Sequence, residues 1–323
     1  MRTAVLAYDG CLASGVSGFV DTLAVADHLQ GGPLGTVRVL SDGGGPVRCF
    51  AGAILPVDGA LDGPGAPDAG WDVVYVPPAF GVEEPPPGAA AWVKAAHAAG
   101  AVACAACAGV FVLAEAGMLE GRAATTHWGL AGAFAARYPG VALEPDRMLV
   151  DGGDYVCAGG VTAYFDLALH LVARFASPDT AAACARTLLL DPGRERQTPY
   201  MSLLAPAGHA DPAMRRALAW LEDNHARPVR ITELAAAVHL SARTLERRFK
   251  AATKRTPRQY VQAVRVEHAK RLLESGGEPV GVIAGMVGYA DATAFCSVFK
   301  TLTGLPPGEY RRRFRCGGRR EGV

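Results

Sequence analysis

The segment 241–260, SARTLERRFKAATKRTPRQY, recurs fifty residues later as segment 291–310, DATAFCSVFKTLTGLPPGEY. Phe, Lys, Thr, Pro and Tyr stand at the same five places in both copies, at 249, 250, 253, 257 and 260 and again at 299, 300, 303, 307 and 310. A unit that recurs at a fixed period predicts one supersecondary motif used twice. Each copy follows a short apolar segment and a tight turn, which is typical of a helix-turn-helix. Two such motifs in tandem predict a protein that binds DNA.

The pattern predicts four short helices and one long connector. The apolar helices are expected at 231–238 and 280–287, the recognition helices at 242–251 and 291–301, and the connector at 257–274. A rigid connector can hold both recognition helices on one face of the duplex, in successive major grooves about 34 Å apart. Lys254 takes the turn position that Gly304 takes in the second copy. We expect a left-handed residue there, at a local cost of about 1 kcal/mol.

The two recognition helices are expected to differ in how they read bases. In the first, Ser241 is the expected N-cap and Leu245 and Phe249 the core-facing residues, since they lie four apart on one face. Long arginines on the outward face can bind guanine in a bidentate manner, whereas the second helix offers short hydroxyls. The predicted DNA-binding residues are Ser241, Arg243, Thr244, Glu246, Arg247, Arg248 and Lys250 in the first copy, with Arg248 and Lys250 nearer phosphate, and Asp291, Thr293, Ser297 and Lys300 in the second.

The recognition helix of the second copy is also expected to be capped and to bury one apolar face. Asp291 is the expected N-cap, and Phe295 and Phe299 the buried pair. Ala292, Thr293, Cys296 and Ser297 are expected on its exposed side. We therefore expect base readout to concentrate under the first recognition helix.

Charge divides the chain in the same way as the repeat. Residues 1–209 hold 11 basic and 20 acidic side chains, a formal charge of −9, whereas residues 210–323 hold 21 and 11, a formal charge of +10. The overall +1 conceals this polarity. Only the C-terminal third has the electrostatic character of a nucleic-acid binder.

The remaining composition excludes several classes of protein. No signal-peptide pattern follows Met1, and no uncharged apolar stretch reaches the length of about 18 residues that a membrane span needs. The eight cysteines are scattered through apolar segments, which favours reduced thiols in a cytoplasmic protein over a disulfide framework. No Cys/His cluster has metal-ligand spacing, so we predict neither a metal nor a cofactor.

The N-terminal part alternates short apolar strands with helices. Strands are expected at 3–7, 36–40, 72–76 and 101–105, because these runs are apolar and bounded by Gly, Pro or Asp. Such alternation predicts a three-layer α/β sandwich with right-handed crossovers. The expected helices lie at 18–29, 89–99, 110–116, 128–138 and 161–175.

Cys107 is the chemically suggestive residue of this part. It stands in a strand-to-helix turn, which directs its sulfur toward the C-terminal edge of the sheet and near a helix N-terminus that favours thiolate. Open α/β sheets bind ligands at that edge. The alternative is that Cys107 is one of several small buried residues in an Ala-rich region. A redox pair with Cys104 is disfavoured, because Cys104 lies within the strand.

Residues 101–128, AVACAACAGVFVLAEAGMLEGRAATTHW, resemble the nucleophile-elbow region of PfpI-type domains of the class I glutamine amidotransferase-like superfamily. Cys107 matches the elbow, and His127 matches the His of the family's His-Trp pair. The tandem repeat is similar to an AraC/XylS-type DNA-binding domain, and the order of the two resembles GlxA-type transcriptional regulators. The resemblance implies a flavodoxin-like three-layer α/β/α sandwich followed by an all-α double helix-turn-helix domain.

One departure from the resemblance bears on mechanism. Catalytic relatives carry an Asp or Glu in the first loop that touches the elbow cysteine, and the matching position here is Gly15. A nucleophile without its acid/base partner loses its usual activation. This favours a sensing pocket over an enzyme, and no residue is predicted to be catalytic. His127 either pairs with Cys107 or packs and caps beside Trp128. The ligand-pocket candidates are Ser14, Gly15, Cys107, Ala108 and His127.

Two functions from different classes follow. The first is a DNA-binding transcriptional regulator that senses a small-molecule effector, forms a homodimer through its N-terminal domain and binds double-stranded promoter DNA. RNA polymerase is a further candidate partner, and the residues leave an activator and a repressor both open. The second is a PfpI-like hydrolase or hydratase that uses Cys107 and carries a DNA-binding appendage. The expected plan is a sensing domain at 1–189, a linker at 190–212, the DNA-binding domain at 213–315 and a basic tail at 316–323.

Overall fold

A computed structural model describes residues 1–81, 84–204 and 211–315. The chain forms two compact units whose boundary falls after Gln197. The first eight residues of the predicted linker, 190–197, therefore belong to the first unit. Residues 205–210 of that linker and the predicted basic tail at 316–323 lie outside the described residues.

The first unit contains eleven described strands and six described α-helices. The strands are β1 (Arg2–Leu6), β2 (Thr36–Ser41), β3 (Val47–Arg48), β4 (Ile54–Leu55), β5 (Gly59–Ala60), β6 (Val73–Val76), β7 (Val102–Ala106), β8 (Ala123–Ala124), β9 (Ala142–Leu143), β10 (Leu149–Asp151) and β11 (Tyr155–Ala158). The helices are α1 (Ala13–Gln30), α2 (Ala89–Ala98), α3 (Val110–Glu115), α4 (Ala131–Arg137), α5 (Tyr164–Phe175) and α6 (Pro178–Thr187).

Seven of these strands form one twisted sheet in the order β10-β11-β7-β6-β1-β2-β5. All of its pairings are parallel except that of β10 with β11, which is antiparallel. Helices α1, α5 and α6 pack together, and α2 packs on α3 and on β6 and β7. The flavodoxin-like α/β/α sandwich is therefore confirmed. The carboxyl ends of β1, β6 and β7 meet at one edge, where such sheets bind ligands.

The structure differs from the sequence prediction at particular elements. Helix α1 begins at Ala13, five residues before the predicted start, and the predicted helix at 128–138 divides into a 3-10 turn at Trp128–Leu130 and α4. The β10–β11 hairpin was not predicted. Its short strands are separated by Gly152, Gly153 and Asp154, and strand β11 is fully buried beside β7.

The second unit is helical throughout its described regular structure. Its helices are α7 (Pro212–Asn224), α8 (Ile231–Ala237), α9 (Ala242–Thr253), α10 (Pro257–Ser275), α11 (Val280–Met286), α12 (Ala292–Thr303) and α13 (Pro307–Phe314). The pairs α8–α9 and α11–α12 are the two helix-turn-helix motifs, with bounds within two residues of the predicted ones. Helix α10 begins with a reciprocal cap in which the Thr256 and Gln259 side chains each bond the other's backbone N–H.

Helix α10 belongs to two separate cores. Its Tyr260 and Val264 pack with α7, α8 and α9, whereas its Ala269 and Leu273 pack with α11, α12 and α13. The helix is buried on several faces at once, because two sets of helices pack around it. One rigid helix of 19 residues therefore connects both motifs.

Candidate functional site

Helix α9 presents a polar face built on a buried apolar pair. The Ser241 hydroxyl accepts a hydrogen bond from the Thr244 amide at 3.3 Å and so caps the helix. Leu245 and Phe249 are fully buried, as predicted. The predicted residues that are exposed on this helix are Arg243, Glu246, Arg247 and Lys250, and Thr244 is half-buried.

The Arg248 side chain forms an ion pair with Asp211, which the sequence did not predict. Its Nε and Nη2 atoms lie 3.0 Å and 2.6 Å from Oδ2 of Asp211. The other carboxylate oxygen of Asp211 accepts hydrogen bonds from the Ala213 and Met214 amides at the start of α7. The Arg248 hydrogen bond holds the pKa of Asp211 below its usual value. Arg248 thus fastens α9 to α7 while its side chain stays 37% exposed.

Helix α12 repeats the arrangement with different chemistry. Both carboxylate oxygens of Asp291 accept hydrogen bonds from the first-turn amides, at 3.0 Å and 3.1 Å. These amides hold the pKa of Asp291 below its usual value. Phe295 and Phe299 are fully buried. Thr293, Ser297 and Lys300 are exposed, whereas Cys296, which we expected to be exposed, is half-buried against the second core.

Lys254 adopts the left-handed conformation that the repeat predicts. Its φ is 58°, compared with 79° for Gly304, and each residue's amide donates to the carbonyl four residues earlier, at 2.9 Å and 2.8 Å. The turn inside the first motif places His239 at φ 57°, where the second motif has Gly288 at 89°. The first motif therefore holds side chains at two positions where the second has glycine, at the cost of backbone strain.

Cys107 lies in a sharp turn directly after β7, with φ 55°. Gly109 lets this turn approach β6, because a Cβ atom there would stand 2.6 Å from the Val76 carbonyl oxygen. A cavity of about 210 Å³ opens at the turn. Its described lining residues are Ala79, Phe80, Gly81, Cys107, Ala108, His127, Gly129, Leu130 and Val161.

Three of the five predicted pocket residues line this cavity, and Ser14 and Gly15 do not. Ser14 is exposed, and the Gly15 carbonyl accepts a hydrogen bond from the Tyr75 hydroxyl at 3.1 Å. A Cβ atom on Gly15 would lie 2.6 Å from the ring of Pro78. A carboxylate side chain at position 15 therefore does not fit without displacement of Pro78.

The cavity is electrically neutral at physiological pH. Burial raises the pKa of the Cys107 thiol to about 11, so the expectation that a helix N-terminus favours thiolate there is wrong. Burial also lowers the pKa of His127, whose Nδ1 atom accepts a hydrogen bond from the Gly129 amide at 3.1 Å. Among the described lining residues no side chain is ionised near neutral pH.

We expect the reaction of Cys107 with iodoacetamide to be slow at pH 7 and to accelerate about tenfold per pH unit toward pH 10, because only the thiolate reacts. The folded-state pKa is raised, so the thiolate appears only as pH approaches about 11. Peptide mass spectrometry after timed labelling measures the rate, with Cys107→Ser as the control for assignment. A rate that levels off near pH 7 would show an activated thiolate and favour an enzyme.

The structure also bears on three other features that the sequence raised, namely Cys104, metal binding and membrane insertion. Cys104 is fully buried within β7, and burial raises its pKa. Across the described ranges there is no group of three His, Cys, Asp or Glu residues placed to hold a metal ion. Nor does any described helix have the length and apolar character needed to cross a membrane.

A buried residue that sequence reasoning missed lies beside the cavity. Gln197 is 1% exposed, and its side-chain amide bonds the backbone on both sides of His127. No local signal marks it, because its partners lie 50 to 72 positions away in the chain. The Asp211–Arg248 pair was missed although Asp211-Pro212 has the form of a helix start.

Comparison with known proteins adds the family context. The DJ-1/PfpI family profile matches residues 5–174, and a helix-turn-helix domain profile matches residues 234–313. The HTH-type transcriptional regulator CdhR of Pseudomonas aeruginosa is 29% identical over 304 residues, which cover 92% of this chain and 88% of CdhR. The HTH-type transcriptional regulator GlxA of Rhizobium meliloti is 31% identical over 206 residues, 64% of this chain and 63% of GlxA.

Another relative matches over a smaller share of its length. The HTH-type transcriptional regulator GbdR of Pseudomonas aeruginosa is 28% identical over 210 residues, so the match spans 64% of this chain and only 56% of GbdR. Two crystal structures share the fold of the first unit. They are an AraC family transcriptional regulator from Pseudomonas putida (TM-score 0.52, 19% identity, 58% of this chain and 98% of that chain) and Drosophila melanogaster DJ-1beta (TM-score 0.50, 19% identity, 59% and 98%).

Proposed function

Because the chain belongs to the DJ-1/PfpI family and ends in a tandem helix-turn-helix unit, we propose that it is a DNA-binding transcriptional regulator whose first unit senses a small molecule. The observation that carries the proposal is the pair α9 and α12. Each is capped at its N-terminus, packs two large apolar residues inward and exposes the opposite face. Both stand in the part of the chain that carries a formal charge of +10.

The chemistry of the exposed faces supports unequal readout by the two helices. Arg243 and Arg247 are exposed on α9 and offer the planar donors that bind guanine O6 and N7. Helix α12 offers Thr293 and Ser297, whose side chains are short and whose hydroxyls can hydrogen-bond to bases of either kind of pair. Lys250 and Lys300, near the helix ends, suit phosphate contacts that set position. Discrimination should therefore concentrate under α9.

The chemistry of the cavity at Cys107 favours the binding of a small effector over catalysis. Its thiol is protonated, its histidine is neutral, and no carboxylate is present among its described lining residues. The acidic partner of an activated elbow cysteine is not among the described lining residues, and the Nδ1 atom of His127 already accepts a hydrogen bond from the Gly129 amide. At about 210 Å³ the cavity is smaller than the range of roughly 300 to 1,000 Å³ that drug-sized ligands fill. We propose a small effector that is uncharged where it enters this cavity.

Selection of binding sites from a random duplex library tests the proposal on the full chain. We expect a consensus with two elements whose centres lie about 10 to 10.5 base pairs apart. Arg247→Ala should flatten one or two positions of one element, since loss of a bidentate contact costs about 1 to 3 kcal/mol. Ser297→Ala should weaken binding slightly and evenly.

The control for this experiment is Lys250→Ala, which removes an exposed cation from the same helix. It should lower affinity for all sequences without changing the consensus. If Arg247→Ala behaves like Lys250→Ala, helix α9 positions the protein and does not read bases. If the wild-type chain selects no consensus, the regulator proposal itself is wrong.

A further inference from the structure

We propose that a cavity in the second unit, between the two helix-turn-helix motifs, binds a small organic anion that competes with DNA. The cavity is lined by residues of the second unit alone and is separate from the one at Cys107. Its volume of about 620 Å³ lies within the range of roughly 300 to 1,000 Å³ that is typical of small-molecule sites. Only the effect of the ligand on DNA rests on the proposed function.

Much of the cavity wall is apolar and comes from both motifs. Val229 and Ile231, at the start of the first motif, line one side. Ala294 and Val298 of α12 also line the cavity, and Val261 of α10 joins them. A ligand that fills this space therefore needs an apolar body, because burial of apolar surface is the main favourable contribution that such walls offer.

Helix α10 adds a polar face to the cavity. Arg258, Gln262 and Arg265 line it, and their spacing of four and three residues places them on one face of the helix. Arg258 is exposed, and its side chain has neither an ion pair nor a hydrogen bond within the described part of the chain. Among the described lining residues Glu246 is the single acidic side chain, against these two arginines. The charge of the cavity thus favours an anion.

Arg265 links both motifs beside the cavity. Its Nε and Nη2 atoms donate to the carbonyls of His225 and Arg227, before the first motif, at 2.8 Å and 3.0 Å. Its guanidinium carbon also lies 5.2 Å from the centre of the Tyr289 ring, in the turn of the second motif. These contacts fix the cavity in advance, which lowers the entropy cost of binding. Burial lowers the pKa of Arg265, so an anion nearby would stabilise its charge.

The turn of the second motif contributes a donor to the same region. Tyr289 lines the cavity, and its buried hydroxyl has no hydrogen-bond partner among the described residues. A buried donor of this kind costs free energy unless an acceptor reaches it. Together with the arginines, it favours a ligand with oxygen acceptors. We therefore infer an organic carboxylate with an apolar body.

The cavity adjoins the surface that the proposed function assigns to DNA. Glu246 of α9 and Ala294 of α12 are exposed on the two recognition helices, and both line the cavity. An anion held beside Arg258 cancels a positive charge there and repels phosphate. Ligand and DNA therefore weaken each other's binding by the same factor, because an equilibrium linkage is reciprocal.

Isothermal titration calorimetry of the full chain with sodium 2-naphthoate tests the site, and 2-naphthamide serves as the uncharged ligand of similar shape. Arg258→Gln should weaken the binding of naphthoate by about five- to tenfold, since it removes a charge-assisted hydrogen bond, and should leave naphthamide unaffected. Arg271→Gln is the matched control, because Arg271 is an exposed arginine of the same helix outside the described lining. It should leave both ligands unaffected.

A second pair of variants tests the cavity without changing its charge. Ala294→Leu places a larger side chain in the cavity wall and should abolish naphthoate binding. Ala292→Leu makes the same change at an exposed position of α12 that is not among the described lining residues, and should have no effect. The inference is overturned if naphthoate does not bind, or if Arg258→Gln and Ala294→Leu bind it as tightly as the wild type does.

Fluorescence anisotropy with the selected duplex tests the competition. Naphthoate at ten times its Kd should raise the apparent Kd for DNA by about tenfold, as expected for ligands that exclude each other. The reference sample contains sodium chloride at the same concentration, so that the ionic strength is equal. An unchanged affinity for DNA would overturn the competition. Failure of the chain without naphthoate to bind any duplex would instead overturn the proposed function, and the calorimetric result would still decide whether the site exists.

Discussion

Raising the salt concentration from 50 mM to 200 mM is expected to weaken the binding of the full chain to its selected duplex by about 10³- to 10⁵-fold. Two helix-turn-helix motifs across successive grooves should contact about 6 to 10 phosphates, and each contact releases condensed counterions. The formal charge of +10 on residues 210–323 provides the cations. Fluorescence anisotropy at five salt concentrations gives the slope of log K against log salt.

The structure supplies a matched pair of variants for this measurement. Lys250→Gln removes an exposed cation and should reduce the slope by about 1. Arg248→Gln removes the same charge two residues away, but its guanidinium is held by Asp211, so the slope should not change. If both variants and the wild type gave equal slopes, Lys250 would not be one of the residues that contact phosphate. A wild-type affinity that does not depend on salt would contradict DNA binding through this surface.

Replacing Phe299 with alanine is expected to lower the free energy of unfolding of the helical unit by about 3 to 5 kcal/mol and to abolish specific DNA binding. The Phe299 ring is fully buried and contacts Phe295 and Tyr310, with ring centroids 5.6 Å and 5.4 Å away. Its removal leaves a cavity between α12 and α13. Thermal and urea unfolding followed by circular dichroism measure the loss.

Two other variants make the Phe299 result specific. Phe249→Ala, at the equivalent place of the first motif, should cost a similar amount, since Phe249 is also fully buried. Val282→Ala on α11 should change the free energy of unfolding by no more than about 0.5 kcal/mol, because Val282 is 48% exposed. A small loss for Phe299→Ala would mean that the second core repacks around the smaller side chain.

The sequence predicted the helical unit well because its pattern occurs twice. Each copy supports the other, so the caps Ser241 and Asp291 and the buried aromatic pairs could be assigned without the structure. The left-handed turn at Lys254 followed from Gly304 in the same way. The several buried faces of α10 could not be predicted, since they depend on which helices surround it.

The first unit was predicted less completely. Apolar runs identified the four strands β1, β2, β6 and β7. Strands β1, β6 and β7 are buried on both faces, as central parallel strands usually are, whereas β2 is buried only at its end. Helix α1 starts early at Ala13 although Ser, Gly and Val follow, since packing against α5 and α6 overrides weak helix propensity. Helix α6 escaped prediction because its alanine-rich sequence has little periodic contrast.

At the candidate site, position was easier to predict than chemistry. The turn that holds Cys107 could be predicted, because an apolar strand precedes it and a pair of small residues and a helix come after it. The charge state of its thiol depends on burial by residues distant in sequence, and burial outweighs the helix N-terminus here. The position of Gln197 beside His127 depends on contacts at separations above 50 residues, which no local pattern encodes.

The turn of the second motif is one residue longer than that of the first. Leu240 bonds the Ala235 carbonyl just before the Ser241 cap, whereas Tyr289 bonds the Ala284 carbonyl and Ala290 intervenes before the Asp291 cap. The two motifs are therefore not identical. A dimer of identical helix-turn-helix units recognises a palindrome, which reads the same on both strands. A protein that binds DNA through these two unlike helices recognises an asymmetric site, which has a direction along the duplex. Inverting the site would therefore reverse the orientation of the bound protein relative to the gene.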